Sequence, residues 1–115
     1  MIRPGEIYMA DFAEAGPHPV TIVSREDLNR GRYALVAVCT SARFTVRSKL
    51  PNCVPFHAGD FGFTTDCVAQ CENLLSIDVA QLNLSDGPLG ALDDVAFREV
   101  IKAIGYVMES DCEPA

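Results

Sequence analysis

The sequence has no long run of apolar residues. A membrane-spanning helix needs about 18 consecutive apolar residues, and no stretch of this chain reaches that length. The first residues also lack the basic segment followed by an apolar stretch that marks a secretion signal. These two absences predict a cytoplasmic protein that does not enter a membrane.

Tracts of low complexity are also missing. The chain contains no Gly/Ser-rich, Pro-rich or repeated segment, and linkers, repeat arrays and disordered regions are made of such segments. Its 49% hydrophobic and 22% charged residues are close to the average of a globular domain. A chain of 115 residues is long enough for one core and too short for two domains. We therefore expect one domain over residues 1–115.

The cysteines lack the paired spacings that are typical of zinc sites. Five are present: Cys39, Cys53, Cys67, Cys71 and Cys112. An odd number cannot all pair within one chain, and Cys67 and Cys71 lie on one face if their segment is a strand. We predict buried, reduced thiols and no metal or other cofactor, with a metal or redox pair as the alternative.

Positive charge is scarce, with 9 Lys and Arg against 16 Asp and Glu and a net charge of −7. This balance argues against nucleic-acid binding, because such binding depends on cations that neutralise phosphates. The charges are unevenly distributed, however. Residues 25–49 carry a net charge of +4, whereas residues 50–115 carry −9. The positive segment is either a surface for an acidic ligand or a solvated loop.

Short β-branched and aromatic segments between turn residues predict a mostly β protein. The expected strands cover residues 5–12, 19–24, 33–41, 52–57, 67–77 and 80–84, with weaker strand character over 42–51. The first three form an antiparallel meander, with a turn at residues 26–32 before the third. Several short strands in succession favour a small barrel or sandwich.

A C-terminal helix is predicted after the strands. Asp93 or Asp94 can accept hydrogen bonds from the first free N–H groups of a helix. Apolar residues then recur at three- and four-residue spacing, namely Phe97, Val100, Ile101, Ile104 and Met108. We expect that stripe to pack against the sheet and to close a mostly antiparallel β domain.

His18 lies in an unusually stiff segment, GPHPVTIVS, at residues 16–24. Pro17 and Pro19 each fix their own φ and restrict the residue before them. The backbone at His18 is therefore held in place at the start of a predicted strand. This stiffness favours a functional imidazole, and the alternative is a polar turn residue.

Six motifs follow one another along the chain: RPGEIYMADF, GPHPVTIVS, LNRGR, LVAVCTS, LPNCVPF and DCVAQCENLLSI. Their order resembles the MazF/PemK (Kid-like) toxin family over nearly the whole sequence. The resemblance implies an SH3-like small barrel of antiparallel strands with a C-terminal α-helix, in a homodimer. It also implies the toxin half of a toxin–antitoxin pair, which cleaves single-stranded RNA without a metal and is held inactive by a cognate antitoxin protein.

The resemblance implies two catalytic positions. When a 2′-oxygen attacks the adjacent phosphate, the site must accept a proton, supply one and stabilise charge on phosphorus. Thr40 matches the family threonine at the end of the third strand and is predicted to donate to phosphate. His18 stands where the family has arginine, and imidazole exchanges protons near neutral pH whereas guanidinium stays charged. We predict that His18 and Thr40 are catalytic; the alternative is a non-catalytic, MazF-like protein-binding module.

The basic segment supplies the predicted RNA-binding residues. They are Arg25, Ser41, Arg43, Phe44, Arg47 and Lys49. Phe44 interleaves the cations and is expected either to stack a base or to complete the core. His57 is interpreted as a turn residue, with a catalytic role as the alternative.

Overall fold

A six-stranded antiparallel sheet forms the body of the computed structural model, which describes residues 1–109. Its strands are β1 (Glu6–Asp11), β2 (Pro17–Ile22), β3 (Tyr33–Thr40), β4 (Cys53–Phe56), β5 (Cys67–Asp78) and β6 (Gly90–Ala91). The helices are α1 (Glu26–Asn29), α2 (Phe44–Arg47) and α3 (Asp94–Val107), and 3-10 turns cover Ala13–Ala15 and Val79–Gln81. The order in the sheet is β4-β5-β3-β2-β1-β6, which confirms the meander of the first three strands.

An irregularity in β5 bends the sheet. Ala37 of β3 lies opposite Leu74, but the next residue, Val38, lies opposite Gln70. The residues between these two β5 positions therefore have no partner in β3. Extra residues of this kind bend a strand and increase its twist, so the sheet curls and buries apolar side chains on both faces.

Two apolar clusters occupy these two faces. The cluster on the face away from α3 contains Ile2, Tyr8, Ala10, Val20, Ile22, Ala34, Val36, Val38, Ile77 and Leu82. The cluster beneath α3 contains Ile7, Cys39, Phe56, Phe63, Cys67, Ala69, Cys71, Val100 and Ala103. Val38 and Cys39, which are consecutive in β3, therefore enter different clusters, so this part of the strand is buried on both faces.

Two glycines allow the curled sheet to close. The loop after β4 crosses β6 so closely that a Cβ on Gly90 would overlap the carbonyl group of Phe61. A Cβ on Gly62 would likewise overlap the carbonyl group of Leu89. This contact brings the chain that leaves one outer strand, β4, against the other outer strand, β6. The expectation of a small barrel-like β fold is confirmed.

The segment from residue 42 to 51 was expected to be a weak strand, and this prediction is wrong. Arg43 adopts a left-handed conformation with φ of 55°, and one turn of helix, α2, follows it. The N–H of Ser48 then bonds to the carbonyl of Phe44. A left-handed residue cannot continue an extended strand, so the chain leaves the sheet directly after β3.

The strand expected at residues 80–84 is also wrong. Asp78 caps a 3-10 turn there by accepting a hydrogen bond from the N–H of Ala80 at 2.9 Å, and Gln81 completes a capping box. The segment therefore forms a capped turn and not a paired strand. Its one β-bridge joins Leu82 to Ala10. The predicted turn at residues 26–32 contains the short helix α1.

Helix α3 begins as predicted and buries part of the predicted stripe, since Val100 is buried and Ile104 packs against the same cluster. The Asp93 carboxylate accepts a hydrogen bond from the N–H of Ala96 at 2.8 Å. Val100 and Ala103 are buried, whereas Ile101 and Met108 are 43% and 62% exposed, so their assignment to the packed face was wrong. Small Ala103 brings the helix close to the sheet, and Ile101 lies about 100° around the helix from Val100. Within residues 1–109, no helix is both long enough and apolar enough to span a membrane.

The thiol prediction is confirmed for the four cysteines in the described residues. Cys39, Cys53, Cys67 and Cys71 are free and buried. Cys67 and Cys71 both enter the cluster beneath α3, as their spacing on one strand predicted. Desolvation raises the pKa of Cys39 and Cys71 to about 12 and that of Cys67 to about 11. Cys112 lies outside the described residues.

Candidate active site

The two prolines beside His18 open a gap between β2 and β3. Alternate residues of a strand direct their N–H and C=O groups to opposite neighbours. Ile22 accepts a bond from Gly5 on the β1 side, whereas the N–H of Val23 bonds to Leu35 of β3. Odd-numbered positions of β2 therefore face β3, and proline has no N–H at two of them. The β2–β3 ladder accordingly ends at Val20 and Val38.

His18 lies at the edge of this gap with its ring oriented by the backbone. Its Nε2 is 3.1 Å from the carbonyl oxygen of Ala15. Because a carbonyl oxygen only accepts, Nε2 carries the proton of the neutral ring and Nδ1 keeps its lone pair. The ring is half-buried, with its centroid 6.2 Å from that of Phe12. The short loop before β2 therefore selects one tautomer.

Thr40 lies across the gap from His18. Extending the pairing of Val20 with Val38 by two residues places these two positions opposite each other on one face of the sheet. The Thr40 hydroxyl oxygen accepts a hydrogen bond from the N–H of Ala42 at 3.2 Å. Since this bond uses a lone pair, the hydroxyl hydrogen stays free to donate to a ligand.

One pocket of about 330 Å³ contains both side chains. Its lining residues are Phe12, Ala15, His18, Val38, Thr40, Gln70, Asn73 and Leu75. The polar groups of this lining are an imidazole, a hydroxyl and two amides, and no Asp, Glu, Lys or Arg side chain is among the described residues that form it. Such a site can move one proton and donate several hydrogen bonds to an anion.

Gln70 and Asn73 were not among the predicted site residues. Both lie on β5 next to its bend, and Gln70 donates to the Glu72 carboxylate at 3.4 Å. Asn52 donates to the other oxygen of the same carboxylate at 2.8 Å, so Glu72 is fixed from two sides. The sequence signal was an interruption of an apolar strand by polar residues; the register that turns these residues toward His18 depends on the bend.

The predicted RNA-binding residues fall into two places. Ser41 and Arg43 are exposed directly after Thr40, and the other members of this group lie within or just after α2: Phe44, Arg47 and Lys49. Arg25 instead precedes α1, at the opposite end of β2 from His18, about 20 Å along the strand direction. The structure does not bring Arg25 to the pocket, and the RNA contacts of the whole group stay predictions.

His57 lies outside the pocket, just after β4. Its Nδ1 is 3.7 Å from the Asp66 carboxylate, and its side chain is 71% exposed. Its ring meets Phe44 edge to face, with the centroids 5.9 Å apart. The placement after a strand agrees with the interpretation as a turn residue, although the ring has two neighbours that the sequence did not indicate.

The fold and the site together define a class of protein. This chain is a small β-barrel protein with a C-terminal helix, and its polar surface site is an open pocket that contains an imidazole and a hydroxyl group. The family model described as "PemK-like, MazF-like toxin of type II toxin-antitoxin system" matches residues 3–108. The chain belongs to this family of toxins, as the order of its motifs predicted.

Known proteins similar to this chain agree with this assignment. Endoribonuclease EndoA of Bacillus subtilis (strain 168) is 26% identical over 110 residues, which cover 90% of this chain and 91% of that protein. The structure of an endoribonuclease in complex with its cognate antitoxin, from a mycobacterial species, superposes with a TM-score of 0.80 at 19% identity, covering 99% of this chain and 100% of that one. The Mycobacterium tuberculosis toxin MazF-mt6 gives a TM-score of 0.75 at 24% identity, covering 90% and 96%. These structures support the fold.

Proposed function

We propose that this protein is an endoribonuclease toxin that cleaves single-stranded RNA, without a metal ion, at the pocket between His18 and Thr40. The observation that carries the proposal is the presence of an oriented imidazole and a free hydroxyl hydrogen in one open pocket. Family membership and the name of the Bacillus subtilis relative, an endoribonuclease, support the same activity.

His18 acts as the general base in this proposal. Its Nδ1 accepts the proton of the ribose 2′-hydroxyl while the 2′-oxygen forms a bond to phosphorus. The bond from phosphorus to the 5′-oxygen then breaks, and the leaving oxygen takes a proton from a water molecule in the open pocket. The hydroxide left by that water takes the proton held by His18, which restores the neutral ring. The products are a 2′,3′-cyclic phosphate and a 5′-hydroxyl. The imidazolium formed at His18 also offsets the negative charge that accumulates on phosphorus.

Thr40 stabilises the phosphate during attack. Its free hydroxyl hydrogen donates to a non-bridging oxygen, and the side-chain amides of Gln70 and Asn73 offer further donors along the same wall. Donors aimed at developing charge are worth more in a partly enclosed site than in water. In this proposal, these neutral donors bind the phosphate in place of the arginine that the family resemblance implies.

The same proposal includes the partners and the place of action. A type II toxin requires an antitoxin, and one of the similar mycobacterial structures holds its cognate antitoxin. We infer a cognate antitoxin and a homodimer for this chain too, and a cytoplasmic location, where RNA is available. Residues 1–115 act as one domain in this scheme.

RNA cleavage in the presence of EDTA tests the proposed activity. The purified protein is incubated with a mixed single-stranded RNA, and the ends of the fragments are analysed. We expect fragments that end in a cyclic phosphate, and we expect them to disappear with His18→Ala or Thr40→Ala. Asn83→Ala serves as the control, because Asn83 is exposed and does not line the pocket.

Intact RNA over the range from about pH 5 to about pH 8, in which imidazole titrates, would contradict the nuclease proposal. The same result would support the alternative of a non-catalytic, protein-binding member of the family. Cleavage that persists in the His18→Ala protein would keep the activity but refute the assigned base.

A further inference from the structure

A second cluster of chemically distinctive side chains lies beside the pocket and takes no part in the proposed cleavage. It consists of Phe44, His57 and Asp66. The rings of Phe44 and His57 are 5.9 Å apart at an interplanar angle of 64°. Asp66 lies 3.7 Å from the His57 ring nitrogen and accepts the N–H of Ala58 at 2.8 Å, so His57 has an aromatic ring and a fixed carboxylate as neighbours.

This cluster is on the same face of the sheet as the pocket. Thr40 and Pro55 are both paired with Val68 of β5, so all three side chains point to one face. The β4–β5 ladder continues in register to the pair of Phe56 with Cys67. One more step places His57 opposite Asp66, on the face that carries Thr40. Thr40 and His57 are therefore separated by two residues, or about 7 Å, along the strands and by two strand spacings, or about 10 Å, across the sheet, because β5 lies between β3 and β4.

Phe44 is not a core residue. It belongs to neither apolar cluster and is half-buried at the start of α2. Its aromatic contact in the described chain is His57, whose side chain is 71% exposed. Two adjoining and accessible rings of this kind offer a surface on which a planar group can stack.

Three cations lie close to Phe44 along the chain. Arg43, Arg47 and Lys49 precede or follow Phe44 by a few residues, and none of them takes part in a salt bridge within residues 1–109. A surface that combines stacking rings with free cations is how proteins bind single-stranded nucleic acid, because the rings hold bases and the cations follow the phosphates. The oxygen of Asp66 nearest His57 is already engaged within the protein, by Ala58.

We propose that Phe44 and His57 form a stacking site for the base of a nucleotide near the scissile phosphate, with Asp66 positioning the imidazole. The inference rests on the proposed RNA cleavage for its ligand and extends it to residues outside the pocket. It assigns His57 a role in substrate binding, whereas His18 performs the proton transfer.

Binding to an RNA that cannot be cleaved tests this site separately from catalysis. The probe is a fluorescent single-stranded RNA with 2′-O-methyl groups throughout, and Kd is measured by anisotropy. Phe44→Leu and His57→Gln are each expected to raise Kd by about 5- to 100-fold, which corresponds to the loss of one stacked base. Val46→Ala is the matched control, because Val46 is an exposed, non-aromatic residue of the same helix.

Cleavage kinetics then separate binding from chemistry. The Phe44, His57 and Asp66→Asn variants are expected to raise KM and to leave kcat unchanged, whereas His18→Gln should lower kcat and leave Kd for the methylated RNA unchanged. Thermal unfolding of each variant identifies any loss of folding. Unchanged Kd in folded Phe44→Leu and His57→Gln would overturn the stacking site even if RNA is cleaved. A wild-type protein that binds the methylated RNA but cleaves no RNA would refute the nuclease proposal alone.

Discussion

The imidazole of His18 donates a hydrogen bond from Nε2 to the carbonyl oxygen of Ala15, 3.1 Å away. This contact leaves Nδ1 as the basic nitrogen, so the proposed base is ready only while the ring is neutral. We expect cleavage to slow toward acidic pH and His18→Gln to remove that dependence, with kcat lowered by about 10²- to 10⁴-fold. Rates measured from about pH 5 to about pH 8 test this.

His18→Arg is the informative companion variant, because it introduces the residue that the family resemblance implies. Guanidinium cannot accept a proton in this range. The substituted protein should therefore lose the acid-side pH dependence, whatever its rate. Retention of the wild-type pH profile in either variant would show that another group sets it.

The hydroxyl of Thr40 can be tested without changing the shape of its side chain. Thr40→Val keeps a β-branched residue at the end of β3 and removes the donor, so we expect kcat to fall by about 10²- to 10³-fold with little change in the urea midpoint. Thr40→Ser keeps the hydroxyl and should retain most activity. Equal loss in both variants would indicate that packing, and not the hydrogen bond, is needed.

The course of the sheet was largely predictable from local sequence, because each strand carries its own pattern. Apolar residues alternate or run continuously in β1, β3 and β5, and turn residues separate these strands. The two segments that were wrongly predicted as strands each depend on a single residue. Arg43 adopts a left-handed backbone, and Asp78 caps a turn, and both interrupt segments whose composition resembles a strand.

Only part of the candidate site was predictable from the sequence, because the rest depends on the pairing register between β3 and β5. His18 and Thr40 were identifiable from their motifs, and both line the same pocket. Asn73 and Gln70 join them only because three residues of β5 are skipped in the ladder with β3. No local pattern specifies such a shift, since it depends on how the curled sheet closes.

A buried amide network fixes the chain before β1. Asn29 is 5% exposed and donates to the carbonyl oxygens of Ile2 and Ser24 at 3.1 and 2.9 Å, while it accepts the Ser24 hydroxyl. Asn29→Ala leaves these groups buried without partners, and we expect a loss of about 1 to 3 kcal/mol in the free energy of unfolding. Urea denaturation measures it, and exposed Asn83→Ala should cost clearly less.

The crossing of Gly62 and Gly90 gives a steric prediction. Gly90→Ala would force a methyl group against the Phe61 carbonyl, and overpacking of this kind costs about 1 to 3 kcal/mol. Gly31→Ala is the matched control, because its new methyl group would meet its nearest neighbour at an ordinary 3.6 Å. Equal stability of the two variants in urea would show that the crossing does not hold the sheet closed.

The buried thiols predict a pH dependence of stability. Their ordinary pKa is 9.0, and burial raises the pKa of Cys39 and Cys71 to about 12. Below about pH 9 both folded and unfolded chains keep these thiols protonated, so they cause no dependence there. Above it the unfolded chain releases protons that the folded chain retains, and each thiol should lower the free energy of unfolding by about 1.4 kcal/mol per pH unit.

Urea unfolding under reducing conditions, at about pH 8 and about pH 10, measures this dependence. Cys71→Ala removes one of the thiols with a raised pKa. The free energy of unfolding of this variant should therefore fall less between the two pH values than that of the wild type, even if it is lower at about pH 8. Alkylation provides an independent check, because the thiolate is the reactive form. Cys39 and Cys71 should resist iodoacetamide in the folded protein and react in urea, and rapid labelling of either of these two residues in the folded protein, located by peptide mapping, would contradict its burial.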